Sequence, residues 1–179
     1  MTHHYTRTAK GLHWLIALLM LGLLALGFYM QDLPLSPQKL QLYAWHKWAG
    51  VTVFLLVILR LAWRVTHKAP LLPAGMPRWQ QWAAQATHLL LYGLMLAIPL
   101  SGWLMSSAKG FQTVWFGVLP LPDLLAKDKA LGDLLQTLHM SLNLLLVALL
   151  VAHVAASLKH HFINKDDVLL RILPKFGKA

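Results

Sequence analysis

The feature that most constrains the fold of this chain is a set of four apolar runs, each close to the length needed to cross a bilayer. A hydrocarbon core of about 30 Å takes about 20 helical residues. The predicted spans are residues 12–30, 46–65, 82–105 and 134–158. With 58% hydrophobic and only 12% charged residues, the chain lacks the charged surface of a soluble protein. The sequence therefore predicts an all-α integral membrane four-helix bundle that forms a single domain over residues 1–179.

Prolines mark the connections between these spans. They lie at positions 34 and 37, at 70, 73 and 77, and at 120 and 122. Pro99 lies inside the third run and is expected to kink that helix without ending it. The first run is too long for a signal peptide and lacks a small-residue cleavage pattern. The apolar segment 113–125 is too short to span and is expected to lie on the outer membrane surface.

The distribution of the 16 lysines and arginines predicts the orientation. Eleven lie at the termini or around the second connection, on one side of the predicted bundle, and five lie on the other. The eleven are Arg7, Lys10, Arg60, Arg64, Lys68, Arg78, Lys159, Lys165, Arg171, Lys175 and Lys178. Because cytoplasmic segments carry the excess of positive charge, both termini are predicted to be cytoplasmic. The net charge of +10 is thereby explained without a nucleic acid partner, since the basic residues form no single patch.

Five histidines in the predicted spans fall into two layers. His46 and His139 lie near the outer face, whereas His13, His88 and His153 lie toward the cytoplasm. Fourteen residues separate His139 from His153, which is about 21 Å along a helix and about 40° around it. These two imidazoles therefore face the same side of the bundle at two depths.

The chemistry of the spans favours haem iron as the occupant of each layer. Ionisable residues in membrane helices are costly and usually functional, and a neutral imidazole is a common axial ligand of haem. The chain has no cysteine and the spans contain no carboxylate, which disfavours iron–sulfur, zinc and di-iron sites. We predict two bis-histidine haems, one held by His46 and His139. The other is held by His153 with either His13 or His88.

Two further interpretations concern single residues. A lone histidine at a helix end is more often an interfacial polar residue than a ligand, so the prediction depends on the layered set. Gly22, Gly27, Gly50 and Gly93 are candidate positions at which a porphyrin could approach a helix backbone.

Four stretches of the sequence carry a family resemblance. They are YTRTAKGLHWLIALLM, HKWAGVTVFLLVILRLAWR, THLLLYGLMLAIPLSGWLM and LHMSLNLLLVALLVAHVAASLKHHFINKDDVLLRILP. Together they resemble the bacterial cytochrome b561 family, and within it the small di-haem members that oxidise superoxide. The resemblance covers essentially the whole chain.

The resemblance implies the ligands, cofactors and location. His13 and His153 would ligate the inner haem, and His46 and His139 the outer one, so the choice of His13 over His88 comes from the family. His160, the first of the HH pair after the fourth span, would belong to a quinone site. The implied cofactors are two haem b, with ubiquinone as electron acceptor. The implied location is multi-pass in the lipid of the bacterial inner membrane.

The resemblance also implies an activity, superoxide:ubiquinone oxidoreductase. Superoxide would be oxidised to oxygen at the periplasmic side, and ubiquinone would be reduced to ubiquinol. Lys47 and Lys39, and with them Lys109, are expected to attract the superoxide anion. His88 and Lys159 join His160 as candidates for quinone contact or proton delivery, although Lys159 also suits a membrane anchor.

Two other functions fit the same histidines. One is a haem-carrying membrane subunit that links a partner dehydrogenase or hydrogenase to the quinone pool, with the same ligands. The other is a histidine-lined metal transporter, which is less favoured because a transport path normally carries carboxylates.

Overall fold

The computed structural model describes residues 4–73 and 75–174. Lys175 and Lys178, counted above for the orientation, lie outside the described residues. The elements are α1 (Arg7–Gln31), α2 (Pro37–Thr66), α3 (Arg78–Ala108), β1 (Val114–Trp115), β2 (Leu119–Pro120), α4 (Lys129–Lys159), a π-helical turn (His160–Asn164) and α5 (Val168–Ile172).

The four long helices are long and apolar enough to cross a membrane, as predicted. Each begins several residues before its predicted span, and side-chain caps mark the start of three of them, α1, α2 and α4. In α1, the Oγ1 of Thr6 accepts from the Ala9 amide. In α2, which begins at Pro37, the Oγ of Ser36 accepts from the Lys39 amide. Asp128 does the same for α4 through the Leu131 amide. Such caps satisfy amides that the first helical turn leaves without partners.

The two ends of the bundle are called the terminal end and the hairpin end. At the terminal end, the start of α1 meets the end of the chain, where Lys10 Nζ donates to the Leu173 carbonyl at 2.9 Å. The hairpin end carries the α1–α2 connection and the segment between α3 and α4. Helix α3 packs most extensively on α4, and α1 on α2.

The apolar segment between α3 and α4 contains a small β-hairpin that the all-α prediction did not include. Strands β1 and β2 pair antiparallel, with Val114 opposite Pro120 and Trp115 opposite Leu119. The hairpin lies against α2 through indole hydrogen bonds. Trp48 Nε1 donates to the Val114 carbonyl at 2.6 Å, and Trp115 Nε1 donates to the Trp48 carbonyl at 3.2 Å.

The buried core lies in the middle of the bundle. Its members come from all four long helices and are all apolar: Ile16, Met20, Val53, Val57, Leu91, Leu94 and Leu146. Along the bundle, these positions lie between the level of His46 and His139 and the level of His13, His88 and His153. The core therefore separates the two ends of the bundle with aliphatic packing, which excludes water and ions from this zone.

After α4 the chain returns beneath the bundle at the terminal end. Helix α5 is held there by Trp14, whose Nε1 donates to the Ile172 carbonyl at 3.0 Å, and by Arg171, whose guanidinium donates to the Leu71 carbonyl at 2.5 Å. Arg171 also pairs with Asp167 at 2.6 Å, and this contact holds the pKa of the Asp167 carboxyl below its usual value.

Candidate functional site

A cavity of about 750 Å³ opens between the helices at the hairpin end. His46 of α2 and His139 of α4 both line it, together with Gly27, Gly50 and Gly102. Cavities of this size hold drug-sized ligands and cofactors. The structure thus brings together the two outer histidines that the sequence paired.

The imidazole of His139 is oriented by polar groups of α3. Its Nδ1 lies 3.1 Å from the Ile98 carbonyl and 3.0 Å from Ser101 Oγ, whose own hydroxyl donates to the same carbonyl at 2.8 Å. Two oxygen acceptors beside Nδ1 place the proton of a neutral imidazole on that nitrogen. Nε2 is then the unprotonated atom, which is the form that binds iron.

Two glycines bring the ligand histidines close to neighbouring helix backbones. A Cβ at Gly102 would lie 3.2 Å from His139 Cε1, and a Cβ at Gly27 would lie 3.4 Å from His46 Cε1. Added Cβ atoms at Gly22, Gly50 and Gly93 would meet nothing within 4 Å. Gly102 was not among the glycines that the sequence singled out, because its role depends on the packing of α3 against α4.

His46 differs from His139 in that its Nδ1 is buried without a hydrogen-bond partner.

Three lysines line the same cavity. Lys47 Nζ is held by Ser106 Oγ at 3.0 Å and by the Phe111 carbonyl at 3.3 Å. Lys39 Nζ donates to the Gln31 carbonyl at 3.1 Å and to the Leu33 carbonyl. Lys109 pairs with Asp133 at 3.3 Å. Three of the five lysines at the hairpin end thus line the cavity, and the charge of Lys109 is offset by Asp133.

The inner histidines form a second cluster toward the terminal end. The ring centroid of His153 lies 6.5 Å from that of His13 and 5.5 Å from that of the exposed His88. Arg60 joins the cluster, because its guanidinium donates to His13 Nδ1 at 2.9 Å and its Nε donates to the Tyr92 hydroxyl at 3.0 Å. His13 and His88, the two candidate partners of His153 in the inner layer, thus both lie beside it.

The spacing in this cluster does not separate the two candidate pairs. Two metal–imidazole bonds of about 2 Å, with the ring radii, separate ring centroids by roughly 6 Å. The 6.5 Å between His13 and His153 and the 5.5 Å between His88 and His153 differ from this value by similar amounts. In this structure His13 Nδ1 accepts from Arg60, which leaves the proton of a neutral ring on Nε2. Ligation through Nε2 requires the other tautomer, so Arg60 must turn away from Nδ1.

The remaining candidates lie at the terminal end. His160 begins the π-helical turn directly after α4, and its Nδ1 lies 2.6 Å from Asp166 Oδ2. Lys159 is the exposed last residue of α4. The acidic partner of His160 was missed from the sequence. The spacing in HHFINKDD, with a carboxylate six residues after the histidine at a helix end, is the signal that could have indicated it.

Comparison with known proteins identifies the family. The family model described as prokaryotic cytochrome b561 matches residues 4–175. The chain belongs to this family. It is 37% identical to cytochrome b561 homolog 2 of Escherichia coli (strain K12), over 96% of this chain and 92% of the relative. Identity to cytochrome b561 homolog 1 of the same organism is 29%, over 97% and 98%. A Yersinia pestis protein named "Probable superoxide oxidase CybB" is 26% identical, over 96% of each chain.

Membership of the cytochrome b561 family makes this chain a multi-pass membrane protein of the electron-transfer type, and proteins of the family bind haem b. The hairpin-end cavity fits such a group. It offers an imidazole oriented by Ile98 and Ser101, a second imidazole on the facing helix, and lysines at its rim that suit the propionates of haem.

Proposed function

We propose that this cytochrome b561 protein holds two haem b groups and oxidises superoxide at the hairpin end while it reduces ubiquinone at the terminal end. The observation that carries the proposal is the hairpin-end cavity, where His139 is fixed with Nδ1 toward two oxygen acceptors and His46 lines the same space. When bound, haem b supplies reversible one-electron transfer. His46 and His139 would hold one group, and His13 and His153 the other.

The choice of His13 over His88 is supported by the family resemblance, which assigns the histidine near the start of the first helix. Both residues lie close to His153, with centroid separations of 6.5 Å and 5.5 Å, so the spacing does not choose between them. Arg60, once released from His13 Nδ1, would be available to pair with a haem propionate. His88 then stands beside the inner ligand as a polar neighbour.

The proposed orientation puts the hairpin end in the periplasm and the terminal end in the cytoplasm. It is supported by the excess of lysine and arginine at the terminal end. Multi-pass insertion in the bacterial inner membrane follows from this orientation and from the family.

Superoxide is proposed as the donor because its charge suits the hairpin end. Lys39, Lys47 and Lys109 line the cavity, and because Asp133 offsets the charge of Lys109, Lys39 and Lys47 would chiefly attract an anion, an effect on association rate that salt weakens. Lys47 is held in place by Ser106 Oγ and the Phe111 carbonyl, so its charge has a defined position. The name of the Yersinia pestis relative points to the same substrate.

The overall reaction balances with ubiquinone as acceptor. Two superoxide anions each lose one electron and become two molecules of oxygen. Ubiquinone gains the two electrons, takes up two protons from the cytoplasmic side and becomes ubiquinol. The apolar core between the two ends excludes water from the middle of the bundle, so protons enter from the terminal end.

The test is stopped-flow spectroscopy on the purified, haem-loaded full chain. Superoxide is expected to reduce the haems rapidly, added superoxide dismutase to abolish the reduction, and ubiquinone then to reoxidise them. Wild-type protein is expected to carry two low-spin haems per chain, and His139→Ala to lose chiefly one. One haem per fully loaded chain would contradict the two-layer assignment. Two haems that superoxide does not reduce would instead favour a subunit that serves a partner dehydrogenase, which co-purification would reveal.

A further inference from the structure

The end of α4 carries a histidine with a partly buried acidic partner. His160 follows His153 by seven residues along a continuous helix, which corresponds to about 10 Å toward the terminal end. At His160 the helix widens into the π-helical turn His160–Asn164. π-Helical turns are rare in proteins, and those that are found often lie at functional sites.

The Nδ1 of His160 makes two polar contacts, one with Asp166 and one with Asn164 Nδ2 at 3.2 Å. Nδ1 lies 2.6 Å from Asp166 Oδ2, and the two side chains are only 14% and 21% exposed. A contact this short between an imidazole nitrogen and a carboxylate oxygen requires a proton between them, because both atoms otherwise present lone pairs. We assign this proton to Nδ1, which donates to Asp166 because that contact is the shorter of the two. Nε2 is left as the ring atom that exchanges a proton with a neighbour.

The Asp166 carboxylate is itself fixed by the backbone. Its Oδ1 accepts from the Val168 amide at 3.1 Å, and its own amide donates to the His160 carbonyl at 3.1 Å. Lys165 turns the chain back toward the helix with a left-handed φ of 54°, a conformation that costs energy for a residue other than glycine. A strained turn thus places a carboxylate against His160.

We propose that Asp166 is a positioning residue that orients His160 for proton delivery to the quinone. This inference rests on the proposed function. In the proton step, Nε2–H of the His160 imidazolium donates to a quinone oxygen, the N–H bond breaks, and a quinone O–H bond forms. The neutral imidazole then regains a proton from water at the terminal end, which also supplies the second proton of ubiquinol. Asp166 stays ionised throughout and stabilises the imidazolium, the role that the acid of a catalytic triad has toward its histidine.

The experiment compares two neighbouring carboxylates in the haem-loaded full chain. Asp166→Asn removes the charge but keeps an oxygen that can accept from the Val168 amide. Asp167→Asn is the matched control, because it removes an equal charge one residue away that pairs with Arg171 and not with His160. Asp166→Asn is expected to slow the turnover of ubiquinone about ten- to hundredfold, mainly in kcat with KM little changed. Asp167→Asn is expected to stay within about twofold of wild type. Reduction by superoxide and the haem spectra are expected to be unchanged in both.

A second readout does not depend on activity. In dithionite-reduced, 15N-histidine-labelled protein, the His160 signals are identified by their loss in His160→Gln. Wild type is expected to show the Nδ1–H tautomer, and Asp166→Asn a mixture of tautomers or the Nε2–H form, while Asp167→Asn matches wild type. Asp166→Glu is expected to recover part of the turnover.

The outcomes distinguish the two proposals. If His160→Gln leaves ubiquinone turnover unchanged, the quinone site is not at His160 and the proposed function fails at this end. If His160→Gln slows turnover but Asp166→Asn behaves like Asp167→Asn in both readouts, the quinone site stands and the role of Asp166 is refuted.

Discussion

Replacing Gly102 by alanine tests whether His139 depends on close contact with the α3 backbone. The added Cβ would lie 3.2 Å from His139 Cε1 and 3.4 Å from Nδ1. The first distance is shorter than ordinary van der Waals contact, so the imidazole must shift by a few tenths of an ångström. It cannot shift freely, because Nδ1 is bound to the Ile98 carbonyl and to Ser101 Oγ.

The magnitude follows from two opposed effects. Alanine is preferred over glycine in a helix interior by about 1 kcal/mol, whereas overpacking a well-filled site costs about 1–3 kcal/mol. Gly22→Ala is the matched control, since its Cβ would meet nothing within 4 Å and it reports helix preference alone. The difference between the two variants then measures the clash. Gly27→Ala is expected to fall between them, because its Cβ would make an ordinary 3.4 Å contact with His46.

The assay is haem content at limiting haem, with electron paramagnetic resonance of the oxidised protein. A ligand displacement that costs about 1.4 kcal/mol weakens binding about tenfold. Gly102→Ala is therefore expected to lose most of one haem and to change the low-spin signal of the remainder, while Gly22→Ala keeps both. Equal haem content and identical spectra in Gly102→Ala and Gly22→Ala would refute the inference that His139 binds haem in the position seen here.

Two further predictions concern the ligands. Ser101→Ala removes one acceptor from His139 Nδ1, which makes the imidazole a weaker donor to ferric iron, so the potential of one haem is expected to rise by roughly 20–60 mV in a redox titration. A fall in potential, or no change, would contradict the assigned bond. His13→Ala is expected to abolish the bis-histidine spectrum of the inner haem while His88→Ala leaves both spectra nearly intact; the opposite result would exchange the two residues.

Much of the architecture was predictable from local sequence. Four apolar runs predicted four long membrane-type helices, because the length of an apolar run is a property of consecutive residues. The spacing of His139 and His153 placed both on one side of a helix, since helical periodicity needs no tertiary information. The extra turns of these helices were missed because they lie in polar flanking residues outside the apolar runs.

The sequence by itself determined the helices, the two depths at which histidines occur and the excess of positive charge at the terminal end. Only the tertiary structure decided which groups contact each histidine. The contact of Gly102 with His139, the acceptors Ile98 and Ser101, and the hairpin on α2 join residues that are far apart in the chain. Such contacts depend on how helices rotate and pack against one another, and hydropathy and spacing within one helix carry no information about that rotation. The partner of His160 depended likewise on a left-handed turn at Lys165 that brings Asp166 back to the ring.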